Sequence, residues 1–233
     1  MQIAIGIGVL LLSYIIGSIP FGWLIVKMKT GRDIRVIESG RTGGTNAMRA
    51  AGFWAGLLTA IMDILKGATA VWIAQAVVPE GHLFHVLAPI AAIIGHNYSI
   101  FMPERNENGR IIRLRGGAGG APSVGGTFGL WGPSIFLIFP LGALVFFTVG
   151  IASITTMSVA FFAIIIFAIR AWLGLGPWVE VLYGVLAEIL LIWALRPNLK
   201  KLFSGQERIV RQSLHGWIKS KRETQQPNHS SVT

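Results

Sequence analysis

Long apolar runs constrain this chain more than any other feature. A helix on the surface of a soluble protein keeps a polar face, and these runs have none. Crossing the hydrocarbon core of a bilayer takes about 20 such residues. The runs cover 3–26, 52–78, 83–101, 118–131, 134–149, 153–170 and 178–195. Composition agrees: 53% of the 233 residues are hydrophobic and 13% are charged, where soluble domains carry roughly a quarter charged residues. The first run has no basic flank and is too long for the apolar core of a secretory signal, so a retained first span is expected.

The separation of the fourth run from the fifth rests on Gly132-Pro133, because Pro lacks a backbone donor and drives its predecessor out of helical geometry. Charge supports the cut. With seven spans and the N-terminus outside, the cytoplasmic segments are 27–51, 102–117, 150–152 and everything from 196. These hold 18 of the 20 Lys and Arg residues, leaving Lys66 inside a span and Arg170 at an outer end. Merging 118–149 would turn the basic C-terminal region outward, against the positive-inside rule. The expectation is an all-α polytopic membrane protein with seven transmembrane helices, N-terminus outside and C-terminus cytoplasmic. Residues 1–207 form one domain, and 208–233 form a tail that is basic, then polar, and disordered from Thr224.

Several function classes lose support at this stage. Without Cys there is neither a disulfide framework nor a Cys-ligated zinc or iron–sulfur site, and no feature calls for another metal or a cofactor. The net charge of +10 suits topology and contact with anionic lipid. No basic–aromatic module points to nucleic acid. No internal repeat supports a transporter built from inverted halves.

Three cytoplasmic features point to anion binding. The first is Glu38-Ser-Gly-Arg-Thr-Gly-Gly-Thr-Asn-Ala-Met-Arg49. Its glycines let backbone N–H groups approach a phosphate, and its hydroxyls and Arg forks add donors; a flexible basic loop touching lipid headgroups fits the same composition. The second is Arg113-Leu-Arg-Gly-Gly-Ala-Gly-Gly-Ala-Pro-Ser123, a glycine-rich turn feeding a helix N-terminus. Close helix packing is the other reading, given Gly125 and Gly129. The third is His96-Asn97 near the inner end of the third run, a hydrogen-bonded helix end or a direct participant. Inside the second run, Asp63 and Lys66 share a helix face at i, i+3 and are read as an inward-facing pair.

In order along the chain, these segments resemble the bacterial acyl-phosphate-dependent glycerol-3-phosphate acyltransferases (PlsY type). The resemblance is carried by Gly17-Ser-Ile-Pro-Phe-Gly22, Ser39-Gly-Arg-Thr-Gly-Gly-Thr-Asn46 with Arg49, Asp63-Ile-Leu-Lys-Gly67, Gly95-His96, Arg115-Gly-Gly-Ala-Gly119, Ala152-Ser-Ile154, and Arg196-Pro-Asn-Leu-Lys-Lys-Leu202 with Gly205 and Glu207. It implies an enzyme of the bacterial inner membrane that moves an acyl group from acyl phosphate to the sn-1 hydroxyl of glycerol 3-phosphate, giving lysophosphatidate. It further implies membrane lipids as surroundings and a soluble acyl-phosphate-producing enzyme as a partner. By motif position, Ser39, Arg49 and Ser153 become the catalytic candidates. Arg41, Thr45, Asn46, His96, Arg113, Arg115, Gly116, Gly117, Gly119 and Asn198 become the substrate-binding ones.

The chain departs from the family pattern at four motif positions. Ala118 stands where the family has a lysine, Arg41 where it usually has Asn, Leu195 where a His is expected, and Gly150 where a Ser opens the third motif; an insertion around Pro103 to Ile112 lengthens the second loop. A catalytically altered homologue that binds a phosphate-bearing lipid or metabolite is therefore a second expectation beside the active enzyme.

Overall fold

The computed structural model describes residues 2–207, 209 and 213–225, with the main chain alone at 219, 220 and 222–225. The first apolar run becomes two helices, α1 (Gln2–Ser18) and α2 (Phe21–Thr30), separated at Ile19-Pro20. At the break the Ile19 carbonyl accepts Phe21 N–H at 3.1 Å and the Lys66 ammonium at 3.2 Å. α2 closes on Gly31 at φ 69, a left-handed conformation that costs a glycine nothing. α3 (Gly44–Ala51) then leads into α4 (Phe53–Val77), and α5 (His82–Asn97) follows.

The inserted loop folds as a hairpin, with β1 (Pro103–Arg105) paired antiparallel to β2 (Ile111–Leu114). Its turn runs through Asn108 and Gly109, the latter at φ 74. α6 (Gly120–Leu130) and α7 (Ile135–Val149) flank a single 3-10 turn at Gly132–Ser134, so the chain leaves α-helix where Pro133 stands. α8 (Ala152–Trp172), α9 (Val179–Phe203) and α10 (Leu214–Gln225) complete the order. α9 runs past Pro197 instead of ending before it. α10 lies in the expected tail and includes Thr224 and Gln225, where disorder was expected. Residues 226–233 lie outside the described residues, as do Arg208 and Arg211.

The fold is all-α apart from that hairpin, and it is membrane-associated. Among the described residues, four segments are long and apolar enough to cross a bilayer: Gln2–Thr30, Phe53–Val77, Gly132–Val149 and Ala152–Trp172. Large apolar side chains cover the exterior, with Ile3, Phe136 and Trp172 all more than two thirds exposed, as expected of surface that faces lipid rather than water.

Small residues let the helices meet backbone to backbone. A Cβ at Gly67 would strike the Pro122 carbonyl, and one at Gly125 would strike the Ile64 carbonyl, so α4 and α6 touch main chain to main chain. Gly17 against Ala92, and Gly95 against Tyr14 and Ser18, do the same for α1 and α5. Such contacts are the way helices associate where lipid removes the hydrophobic drive. Against this frame packs an apolar core that includes Ile93, Ile138, Phe167, Tyr183 and Leu191. The Tyr183 hydroxyl donates to the Ser123 carbonyl at 2.6 Å.

Candidate active site

The packing of α4 against α6 and α3 brings three helix N-termini to one cavity of about 670 Å³. α3 presents Gly43, Gly44 and Thr45, α6 presents Gly119, Gly120 and Ala121, and α8 presents Ala152 and Ser153. None of the three helices has a side-chain hydrogen bond at its N-cap. The first N–H groups of an α-helix have no partner within it and carry the positive end of its dipole. Three such ends around one space suit an anion. At α6 the cap is Gly119 at φ 91, a turn that admits the chain at an angle few other residues tolerate.

Side chains add to this frame. Ser39, Arg41, Thr45, Asn46, Arg49, His96, Gly119, Ser153 and Asn198 all line the cavity. Ser153 is 2% exposed and its Oγ has no hydrogen-bond partner; buried hydroxyls are rarely left so. Arg41 is half-buried, its Nη2 donating to the Ala194 carbonyl at 2.9 Å. Burial pulls its pKa below the usual value, against the opposing pull of Glu207. A cation in that position gains most from an arriving anion. Asn46 differs from the expectation of a phosphate donor, because its Nδ2 faces three carbonyls, those of Ile34, Ile37 and Arg41, at 2.9–3.2 Å. It shapes the loop that presents Arg41. The same loop holds Glu38 at φ 46, which among the described residues is the one non-glycine at positive φ, and backbone strain of this kind gathers at functional sites.

Four of the expected binding residues do not line the cavity. Arg113 and Arg115 are drawn aside by Glu104 of the hairpin. Arg115 binds it through Nε at 2.9 Å and Nη2 at 3.1 Å, and Arg113 through Nε. The two guanidinium groups hold the Glu104 carboxyl at a pKa of about 2. Gly116 and Gly117 are where they are for space. A side chain on Gly117 would collide with the His96 ring, and one on Gly116 with the His96 and Asn97 carbonyls. Gly117 N–H donates to the His96 carbonyl at 2.9 Å, and the Gly116 carbonyl accepts Thr42 N–H at 3.2 Å. This strip ties the first loop to the second.

Behind the cavity, Lys66 Nζ lies 2.9 Å from Asp63 Oδ1, and His96 Nδ1 lies 3.6 Å from the same oxygen. The inward pair read from the i, i+3 spacing is present, and Asp63 reaches the cavity wall. Lys201, Gln206 and Glu207 also line the cavity and were not among the expected site residues. Glu207 accepts from Asn198 Nδ2 at 2.9 Å. Lys201 and Glu207 stand in the C-terminal motif that carries the resemblance, and α9, by continuing past Pro197, sets Lys201 at i, i+3 from Asn198. Ala118 and Leu195 line the cavity as well, while Gly150 does not.

Comparison with known proteins finds one family and one solved fold that match most of the chain. The family model described as glycerol-3-phosphate acyltransferase matches residues 7–205. Glycerol-3-phosphate acyltransferase 2 of Moorella thermoacetica is 35% identical over 201 residues, covering 85% of this chain and 94% of that protein. The glycerol-3-phosphate acyltransferase of Thermus thermophilus is 37% identical over 200 residues, covering 85% and 92%. Among solved structures, the glycerol 3-phosphate form of PlsY, an integral membrane glycerol 3-phosphate acyltransferase, superposes with a TM-score of 0.75 at 25% identity, covering 88% of this chain and 94% of that one. Its lysophosphatidic acid form gives 0.73 at 24% identity, with the same coverage.

Proposed function

The chain belongs to the glycerol-3-phosphate acyltransferase family, and on that premise we propose that the cavity where α3, α6 and α8 begin is the place of transfer. The enzyme is an acyltransferase of phospholipid biosynthesis that uses acyl phosphate and glycerol 3-phosphate. The observation that carries the site assignment is the meeting of three uncapped helix N-termini in one cavity. Both substrates bear phosphate, and a main-chain anion site suits both.

In this reading the sn-1 hydroxyl oxygen attacks the acyl carbonyl carbon, the bond from that carbon to the phosphate oxygen breaks, and inorganic phosphate leaves. A phosphate oxygen of the bound substrates takes the hydroxyl proton. Acyl phosphate is already activated, so no covalent enzyme intermediate is needed; proximity and charge stabilisation supply the rate. Ser39, Arg49 and Ser153 act on the reacting groups. Arg41, Thr45, His96, Gly119 and Asn198 hold the substrates, with Lys201 and Glu207 added from the cavity wall. Asn46, Gly116 and Gly117 shape the loops, and Arg113 and Arg115 brace them from outside.

Purified protein given acyl phosphate and glycerol 3-phosphate is expected to release lysophosphatidate and phosphate, and to do neither with acyl-CoA as donor. Ser153→Ala is expected to lower kcat/KM by about 10- to 100-fold, the loss of one hydrogen bond to a charged group, with an unchanged unfolding temperature. Ligand binding without turnover by the unaltered protein would sink the catalytic reading and leave the altered homologue.

The protein is multi-pass, in the bacterial inner membrane. We read seven spans, with the N-terminus outside, the 102–117 loop and the C-terminal region cytoplasmic, and one domain over 1–207. A soluble enzyme that makes acyl phosphate is the partner this orientation suits, since cavity and loops share the cytoplasmic face. The chain has no Cys, so single cysteines can be placed cleanly. An impermeant reagent added outside intact cells should leave a cysteine at Asn108 unlabelled, and labelling there overturns the orientation.

A further inference from the structure

The segment after α9 links the cavity to the outside of the bundle. Gln206, Glu207 and Ile209 line the cavity, and Ile209 pairs antiparallel with Ile151, the N-cap of α8. Ser213 is fully buried, and its side chain occupies the space that a Cβ on Gly150 would need. Gly150 ends α7 at φ 72, so a serine there would be both strained and blocked. This departure from the family pattern is the seat of the tail. Ser213 Oγ accepts Gly216 N–H at 3.0 Å and starts α10.

From that seat α10 packs on α7. Leu214, Trp217 and Ile218 are 54%, 52% and 39% exposed, and their i, i+3, i+4 spacing puts them on one face. Lys221 continues that face, with its ammonium 4.2 Å from the Trp217 ring centre, and the sequence adds Lys219 and Arg222. On α7, Leu144 and Phe147 are 59% and 55% exposed in the two turns before Gly150. Apolar surface therefore runs from α7 toward α10. An apolar stripe with aromatic and basic residues, starting at the end of a lipid-facing helix, is the make-up of a helix lying in the headgroup plane.

We propose that α10 binds the anionic lipid surface of the bilayer as an in-plane helix, tied to the cavity wall through Ser213 on Gly150 and Ile209 on Ile151. The proposal rests on the membrane reading alone and is independent of the reaction. A protein occupant would have to cover a stripe that begins level with lipid-facing α7, where the bilayer already lies.

The test uses the full chain in nanodiscs of phosphatidylcholine, with or without phosphatidylglycerol. A single cysteine at Ile218, and separately at Leu214, carries an environment-sensitive fluorophore, and a cysteine at Asn108 in the hairpin turn serves as the control. The expected result is a blue shift at 214 and 218 that is larger in anionic discs and reversed by high salt, with none at 108. Lys221→Glu should bring the shift at 218 down to its value in zwitterionic discs. Equal shifts in both kinds of disc remove the anionic-lipid claim. No shift in either, or a shift that needs added cytosolic protein, overturns the proposal.

Discussion

Arg41→Asn is expected to lower kcat/KM for glycerol 3-phosphate by about 10- to 150-fold, the equivalent of a charge-assisted contact worth ~1.5–3 kcal/mol. The motive is a pair of departures from the family pattern that meet in space. One cation is absent at Ala118 and one is gained at Arg41, and both residues line the same cavity. Arg113 and Arg115, the other candidates for that charge, are committed to Glu104. Arg41 is half-buried, and the described hydrogen bonding of its guanidinium is to one carbonyl through Nη2. Its planar fork can bind two phosphate oxygens at once. Ala118→Lys alone should change little, and Ala118→Lys in the Arg41→Asn background should restore most of the loss. The measurement is steady-state kinetics on all four proteins. An unchanged Michaelis constant and turnover in Arg41→Asn would make Arg41 a loop-packing residue and end the compensation argument.

The second large effect is on stability. Asp63 and Lys66 are 1% and 3% exposed and pair at 2.9 Å inside α4. Removing one partner strands the other charge, which costs about 3–5 kcal/mol for buried pairs. Lys66→Met should therefore unfold far more easily in detergent than the unaltered protein, and should also leave the Ile19 carbonyl, at the break between α1 and α2, with Phe21 N–H as its remaining described donor. Asp63→Asn with Lys66→Met should recover much of that loss, because two neutral side chains leave no buried charge. Thermal or denaturant unfolding reads this directly. Single variants as stable as the parent, or a double variant no better than Lys66→Met, would show that the pair is not the source of stability.

What the sequence made legible follows from the strength of each signal. The helical, membrane-associated character came through because hydrophobicity over twenty residues averages out local noise, and Gly132-Pro133 marked a break that the 3-10 turn occupies, whereas the division of the first run at Ile19-Pro20 was not foreseen. The Asp63–Lys66 pair was legible because helix geometry is periodic and both residues lie on one element. The hairpin carried a local sign, Asn108-Gly109, a strong turn dipeptide, inside what read as a polar insertion. Pairing of Glu104 with Arg113 and Arg115 depends on strand register, which no periodicity reveals. The same holds for Ser213 on Gly150, a contact across more than sixty residues that turns an apparent defect in a motif into a docking point. Pro197 lies just past the apolar run 178–195, inside α9. Proline is a strong stop signal, yet α9 continues, and Arg196 stacks on Trp193 with its guanidinium carbon 4.1 Å from the ring centre, holding the turn together across the missing donor.

Three uncapped helix ends around the cavity have a consequence for how this protein tolerates change. Main-chain N–H groups do not titrate, and in the first turn of a helix only a proline removes one, as Pro122 does in α6. On the proposed reading, the share of phosphate affinity built on them depends on no side-chain protonation and outlasts the loss of any one cation, while the cations add to it. A lineage carrying such a frame can exchange the lysine of one loop for an arginine in another without passing through a form that fails to bind its substrates. Side-chain cations then tune affinity and rate on top of that frame, and their positions are free to drift between the loops.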